Sequence, residues 1–236
     1  SKMYKKTMRN ISVFLPAKKR STRVPNKNSR NFANIKFGLL KIKLTQLSKV
    51  KLIKKIVLST NDQKIISFVR RMKFKKVLIH KRKNKNLSTD KGSVQNLIEH
   101  VIDIMPEDHI LWTHITSPFI GSKDYKKIIS KYFSVLKKKK NDSLMTVTKF
   151  QEYLWDEKKP LNYKKKIDDK WPKTQSLKTL NVVNSGVFLS SKKNYRKFRD
   201  RVGIKPYIYP LDKKTGFDID HMDDFRLAEI MFKQKK

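Results

Sequence analysis

Cysteine is absent from the 236 residues, which removes disulfides, thiolate zinc sites and cysteine nucleophiles together. Acidic residues are scarce, 20 Asp and Glu against 58 Lys and Arg, for a formal net charge of +38. Glycine is scarce as well, with 6 residues in the whole chain. No run of about 18 apolar residues occurs, and the N-terminus carries no hydrophobic signal segment, so neither a membrane span nor export is expected and a cytoplasmic location is. What remains is a chain with 38% apolar residues, enough to bury a real core in one α/β domain spanning residues 1–236.

The positive balance argues for an anionic partner. Yet the lysines run along the whole chain, and runs such as Lys137 to Lys140 and Lys164 to Lys166 read as solvated surface. With no RRM, KH or zinc-finger signature, nucleic acid is expected to adhere only nonspecifically, through charge.

Apolar periodicity alternates between 2 and 3.6. Short apolar runs at Ile11 to Leu15, Lys55 to Ser59, Val77 to His80, His109 to His114, Leu144 to Phe150, Val182 to Leu189 and Tyr207 to Leu211 predict strands. Between them, the stripe Phe37, Leu39, Leu40, Leu44, Leu47 and the stripe Val94, Leu97, Ile98, Val101, Ile102, Met105 predict helices. Further helices are expected over Asp62 to Met72, with Asn61-Asp62 as its cap, Lys123 to Leu136, from Lys192, and from about Asp223. Residues 151–181, with Pro160, Pro172 and two tryptophans, break the rhythm and read as an irregular excursion, a lid or a dimer arm. Strands alternating with helices mean a three-layer, mainly parallel sheet covered on both faces. Ligands of such sheets bind beyond the carboxyl ends of the strands. Chemistry is therefore expected in the loops Pro16 to Asn28, Thr60 to Asp62, Lys81 to Lys91 and Thr113 to Pro118.

The first of these loops, within LPAKKRSTRVPNKNSRNF (residues 15–32), gathers Lys18, Lys19, Arg20, Arg23, Lys27 and Arg30 between the first strand and the first helix. Backbone N–H groups at such a junction, with mobile cations beside them, suit a phosphate. No Gly-Lys-Ser/Thr follows and the dinucleotide spacing is missing, so this is neither a Walker loop nor that fingerprint. The second constellation is TGFDIDHMDDF (residues 215–225). Strand alternation would put Asp218 and Asp220 on one side, where two carboxylates suit a hard cation, Mg2+ (or Mn2+), completed by phosphate oxygens. The competing reading is that Asp220, Asp223 and Asp224 cap the last helix, although Asp218 lies too early to do so.

These motifs, taken in order, resemble one family. PAKKRSTRVPNKN is similar to the N-terminal signature of the acylneuraminate cytidylyltransferases, which make CMP-activated sialic and related nonulosonic acids. IVLSTND, WTHITSP, VNSGVFL, RVGIKPYIYPLD and FDIDHMDDFRLAE follow in that family's order and approximate spacing, over about residues 11 to 230. The resemblance implies a Rossmann-like nucleotidyltransferase with CTP over the opening loop and a nonulosonic sugar acid as its second substrate. It implies that Lys18, Arg23 and Lys27 neutralise the phosphates, and that Ala17, Ser21, Asn28 and Arg82 contact the nucleotide, with Asp90 and Ser93 further along that side. It also implies that Thr113, His114, Thr116 and Asn184 face the sugar, that Asp218 and Asp220 bind the metal, and that the excursion helps build a homodimer.

Two departures stand out. Relatives carry a glycine in the opening loop where this chain has Lys19 and Arg20, so a φ > 0 bend there is expected to be costlier. Trp112 precedes Thr113-His114 where some relatives carry glutamine. Three rival readings stay open at this point: a 3-deoxy-octulosonate cytidylyltransferase, a relative that binds nucleotide without transferring it, and a basic nucleic-acid-binding protein.

Overall fold

The computed structural model describes residues 10–19, 21–82 and 94–234. Seven strands form one sheet in the order β3-β2-β1-β4-β6-β5-β7. They are β1 (Ile11–Ala17), β2 (Ile53–Thr60), β3 (Val77–Lys81), β4 (His109–Thr113), β5 (Ser143–Phe150), β6 (Leu180–Ser191) and β7 (Pro206–Leu211). β1, β2, β3 and β4 run parallel, and β7 runs parallel to β5, whereas β6 is antiparallel to both its neighbours. The expected mainly parallel, Rossmann-like sheet is thus the one observed. Its helices are α1 (Gly38–Ser48), α2 (Gln63–Met72), α3 (Val94–Ile104), α4 (Ser122–Lys137), α5 (Lys192–Phe198) and α6 (Met222–Lys233).

Alternation along β1 shows how the layers are filled. Ile11, Val13 and Leu15 enter the larger core with the apolar faces of α1, α2, α4 and α6, while Phe14 enters the opposite core with α3 and α5. A strand covered on both faces reads as a continuous apolar run for this reason. Asp62 caps α2 as expected, its side chain accepting from Lys64 N at 2.9 Å. β1 continues two residues further than its apolar run, through Pro16 and Ala17, because β4 pairing stops at Phe14 and leaves one side unladdered, where proline is tolerated.

Two local expectations change. Asp218 and Asp220 do not end a strand; they lie in an extended, unladdered segment between β7 and α6. It is held instead by Ile219 N donating to Thr116 O at 3.0 Å. Asn184, expected beside the sugar, sits with Gly186 in a bulge inside β6: Met145 opposes Phe188 and Val147 opposes Val183, so β6 carries extra residues there. The irregular excursion begins after Phe150 and ends at Leu180, within the range read from the sequence.

Between β1 and β4 the chain order reverses direction across the sheet, and the crevice above such a point is where open α/β sheets bind ligands. The opening loop after β1 and the Thr113 to Pro118 loop after β4 meet there.

Candidate active site

The opening loop is pinned from both flanks. Lys19 N donates to Asn61 Oδ1 at 3.2 Å from the loop after β2, and Asn28 Nδ2 donates to Lys18 O at 3.1 Å. Val24, fully buried, anchors the middle, and its N–H donates to Ser21 Oγ at 3.4 Å. Lys18 and Arg23 stay exposed. Among the described residues the chain bends through left-handed Asn26 (φ 56°), Ala33 (48°), Asn34 (65°) and Phe37 (52°). Asparagine tolerates that region better than most side chains, which lets a glycine-free loop turn. Arg20 lies outside the described residues.

Lys27 crosses the crevice. Its Nζ donates to Ile219 O at 2.9 Å, between the two aspartates. Burial lowers its pKa, while Asp218 and Asp220 pull it back up. Arg23 reaches the same place, Nη2 lying 3.2 Å from Asp220 Oδ1. Asp218 accepts a hydrogen bond from the Thr116 hydroxyl; its carboxyl pKa is raised, first by burial and then by Asp220. Among the described residues its Oδ1 is buried without any hydrogen-bond partner, an arrangement that asks for a cation. The capping reading fails for Asp220: Asp224 Oδ2 is the cap, accepting from Asp220 N at 3.0 Å and His221 N at 2.7 Å. Among the described residues no three His, Cys, Asp or Glu side chains gather as a metal cage. Two carboxylates, one with an orphaned oxygen, fit Mg2+, a cation that commonly takes one or two carboxylates and completes its shell with phosphate oxygens and water.

Arg82 lies at the carboxyl end of β3, buried, with Nε on Ser59 Oγ at 2.9 Å and its backbone N on Thr60 O at 3.0 Å. Burial pushes its guanidinium down to about 10, which leaves it cationic at neutral pH. Pro16 and Ala17 pair with Ser59 and Thr60, so Arg82 flanks the opening loop through β2. Asp90 and Ser93 lie outside the described residues.

The sugar-side residues divide. Thr116 faces the crevice through its bond to Asp218. Thr113 is fully buried, its hydroxyl donating to Gly186 O at 2.7 Å and bonded to Tyr125 OH at 2.7 Å. It braces β6 from behind. Asn184 is occupied too: Oδ1 accepts from Thr146 Oγ1 at 2.8 Å and Gly186 N at 3.1 Å, and Nδ2 donates to Thr148 Oγ1 at 3.1 Å. These bonds hold the bulge, with Ser185 left-handed at φ 56°. Gly186 is closely packed there: a Cβ would lie 2.7 Å from Ile120 Cδ1, 3.0 Å from Thr146 Oγ1 and 3.1 Å from Asn184 Oδ1.

His114 is locked in one tautomer. Trp112 Nε1, which only donates, bonds His114 Nε2 at 3.1 Å, so Nδ1 carries the hydrogen and donates to Ser185 O at 2.8 Å. Withdrawal of the ring from water, with the cations Arg201, Lys27 and Lys43 adding to it, depresses its pKa to about 4. The imidazole is neutral at physiological pH and orients Ser185 rather than moving protons. Trp112, one of the two departures, thereby acts as the donor that sets this tautomer.

Lys43 escaped the sequence reading. It is fully buried in α1, donating to Ile120 O at 3.1 Å and Tyr125 OH at 2.8 Å, and Gln46 Nε2 donates to Pro118 O at 2.8 Å. Burial sets its pKa well below the usual lysine range. The signal was its position: three residues after Leu40 and one before Leu44, inside the apolar stripe. Helix α1 thus carries the Thr113 to Ile120 loop at one end and the opening loop at the other.

A doubly covered, mainly parallel sheet carries a cationic loop after its first strand and paired carboxylates across the switch-point crevice, an arrangement suited to nucleotidyl transfer. The cytidylyltransferase family model matches residues 12–235. The chain belongs to that family. It is 24% identical to a pseudaminic acid cytidylyltransferase of Campylobacter jejuni subsp. jejuni, covering 96% of this chain and 97% of the relative. Its fold is similar to that of a CMP-2-keto-3-deoxy-manno-octonic acid synthetase complexed with CTP (TM-score 0.66, 12% identity, 96% and 100% of the two chains). It is also similar to a 4-diphosphocytidyl-2C-methyl-D-erythritol synthase from Anaerococcus prevotii (TM-score 0.64, 17% identity, 95% and 96%). Among the described residues no helix is long and apolar enough to cross a membrane.

Proposed function

We propose that the protein transfers the CMP unit of CTP to a sialic-acid-like nonulosonic acid and releases pyrophosphate. The observation that carries this reading is the meeting of Lys27 and Arg23 with Asp218 and Asp220 above the β1/β4 crevice; the pseudaminic acid relative supports the sugar class. In the reaction the anomeric hydroxyl oxygen bonds to the α-phosphorus and the bond from that phosphorus to the bridging oxygen of pyrophosphate breaks in line. The hydroxyl proton is lost to solvent, and pyrophosphate carries away the charge.

Lys18, Arg23 and Lys27 balance the charge that grows on the leaving phosphates. Lys27, fixed to Ile219 O, spends no motion in doing so. Asp218 and Asp220 would hold the magnesium, which when bound polarises the α-phosphate and lowers the barrier to attack. Thr116 sets the rotamer of Asp218, and Lys43 fixes the loop that carries Thr116. Positioning and electrostatics suffice, so no covalent enzyme intermediate is invoked.

We extend the proposal to a homodimer formed through the excursion, in the cytoplasm where CTP is made. Tyr153, Trp155, Tyr163 and Trp171 cluster there, Trp155 Nε1 donating to Tyr163 OH at 2.7 Å. Trp171 stays 61% exposed, and Val182 and Val183 at the start of β6 are 51% and 46% exposed, apolar side chains of the kind that an interface would cover.

The test is thermal stabilisation by CTP, UTP, ATP and GTP at equal concentration, with Mg2+ and with EDTA, in enough salt to suppress generic polyanion binding. At about a hundred times Kd a bound ligand adds roughly 2.7 kcal/mol, a rise of about 5–10 °C for a chain of this size. A rise for CTP alone, reduced by EDTA, is expected. Equal shifts for all four would refute the cytidylyl reading.

A further inference from the structure

We infer that Arg23 occupies the cation's place at Asp220 until a triphosphate draws it away, so that nucleotide must arrive before, or with, the metal. This rests on reading Asp218 and Asp220 as the metal carboxylates. The two cations on this pair are held differently. Lys27 is partly buried and tied to a backbone carbonyl, Ile219 O, at 2.9 Å. Arg23 reaches Asp220 from the exposed loop, with Nη2 to Oδ1 at 3.2 Å and side chains 56% and 48% exposed, a half-solvated pair that is cheap to break. Asp218 is gripped from the far side by Thr116 and retains one buried oxygen without a hydrogen-bond partner among the described residues.

The resting cluster therefore holds two carboxylates against two side-chain cations. A divalent ion arriving alone meets the Arg23 charge and finds Asp220 already engaged. A triphosphate offers guanidinium a better partner, because the planar fork of Arg matches phosphate oxygens bidentately. When Arg23 turns to the phosphates, Asp220 is released at the moment the phosphate oxygens that complete a magnesium shell have arrived. By linkage, the metal must then favour nucleotide by the same factor as nucleotide favours the metal.

Loss of Arg23 weakens the nucleotide and tightens the metal alone. Were Arg23 only a phosphate ligand, metal-alone binding would not change; were it only a prop for Asp220, metal-alone binding would weaken.

The experiment is a titration of the full chain with Mn2+ in the absence of nucleotide, followed by loss of the free-ion electron paramagnetic resonance signal. R23Q is expected to bind Mn2+ about fivefold to tenfold more tightly than the parent, the gain from removing one like charge and freeing one carboxylate. That gain should vanish in R23Q combined with D218N, which locates the ion. Unchanged or weaker binding by R23Q, or a gain that survives D218N, would overturn the inference. Because the titration contains neither CTP nor sugar acid, it reads out whether or not the cytidylyl assignment stands.

Discussion

Asp218→Asn lowers turnover by about a thousandfold or more, the scale of losing one centrally placed electrostatic group, while leaving the fold intact. Thermal stability moves the other way. The Asp218 carboxyl has its pKa raised by burial and by Asp220, so its charge is held at a cost to folding. Asparagine keeps an oxygen for the Thr116 hydroxyl and removes the charge. The thermal midpoint of the variant is therefore expected at or above that of the parent, a trade of stability for function common at active sites. Steady-state pyrophosphate release and a thermal melt on the same preparation check both halves. Near-normal turnover would remove Asp218 from the mechanism, and a large fall in midpoint would recast it as a structural carboxylate.

Gly38→Ala has the largest expected effect on stability. Gly38 opens α1 directly after left-handed Phe37, and a Cβ there would lie 2.6 Å from Phe32 O, 2.7 Å from Phe32 Cβ and 2.9 Å from Phe32 N. Two of these three are backbone atoms, and Phe32 has no room to retreat. It exchanges hydrogen bonds with Ile35 at 3.0 and 2.9 Å, and its ring packs edge-on against Phe225 and Phe232 at 5.4 and 5.6 Å. Overpacking against so fixed a neighbour costs about 3 kcal/mol, a fall of roughly 6–12 °C in midpoint. Because residues 26–37 are the trailing half of the opening loop, nucleotide affinity should fall with it. A midpoint within about 1 °C of the parent would show that this turn yields more easily than its contacts indicate.

The fold was legible where period and burial agree. β1 and β2, covered on both faces, read as apolar runs, and α1 and α3 carried their stripes openly. What stayed hidden depended on partners distant in sequence. β6 and β5 are equally apolar, and nothing local says that β6 runs antiparallel to β4 and β5. Asn184 reads as a polar residue beside a glycine; only the β5 register shows that Thr146 and Thr148 consume its amide.

The site divides in the same way. The cations of the opening loop and the Asp218/Asp220 pair stood out because acidic residues are rare and basic ones crowd behind an apolar run. That they meet depends on Lys27 reaching Ile219, 192 positions away, which no local pattern carries. Lys43 hid because a lone lysine in an amphipathic helix ordinarily reaches to solvent. Here, donors to Ile120 O and Tyr125 OH make it part of the core.

The most direct measurement of the transfer is pyrophosphate release by the purified protein from CTP, UTP, ATP and GTP with Mg2+, with and without a nonulosonic acid such as pseudaminic acid, the product mass being read in parallel. The account predicts release from CTP alone, strictly dependent on the sugar acid, with a CMP-sugar acid formed in equal amount. Release that ignores the base, or none from CTP with any nonulosonic acid offered, would contradict it.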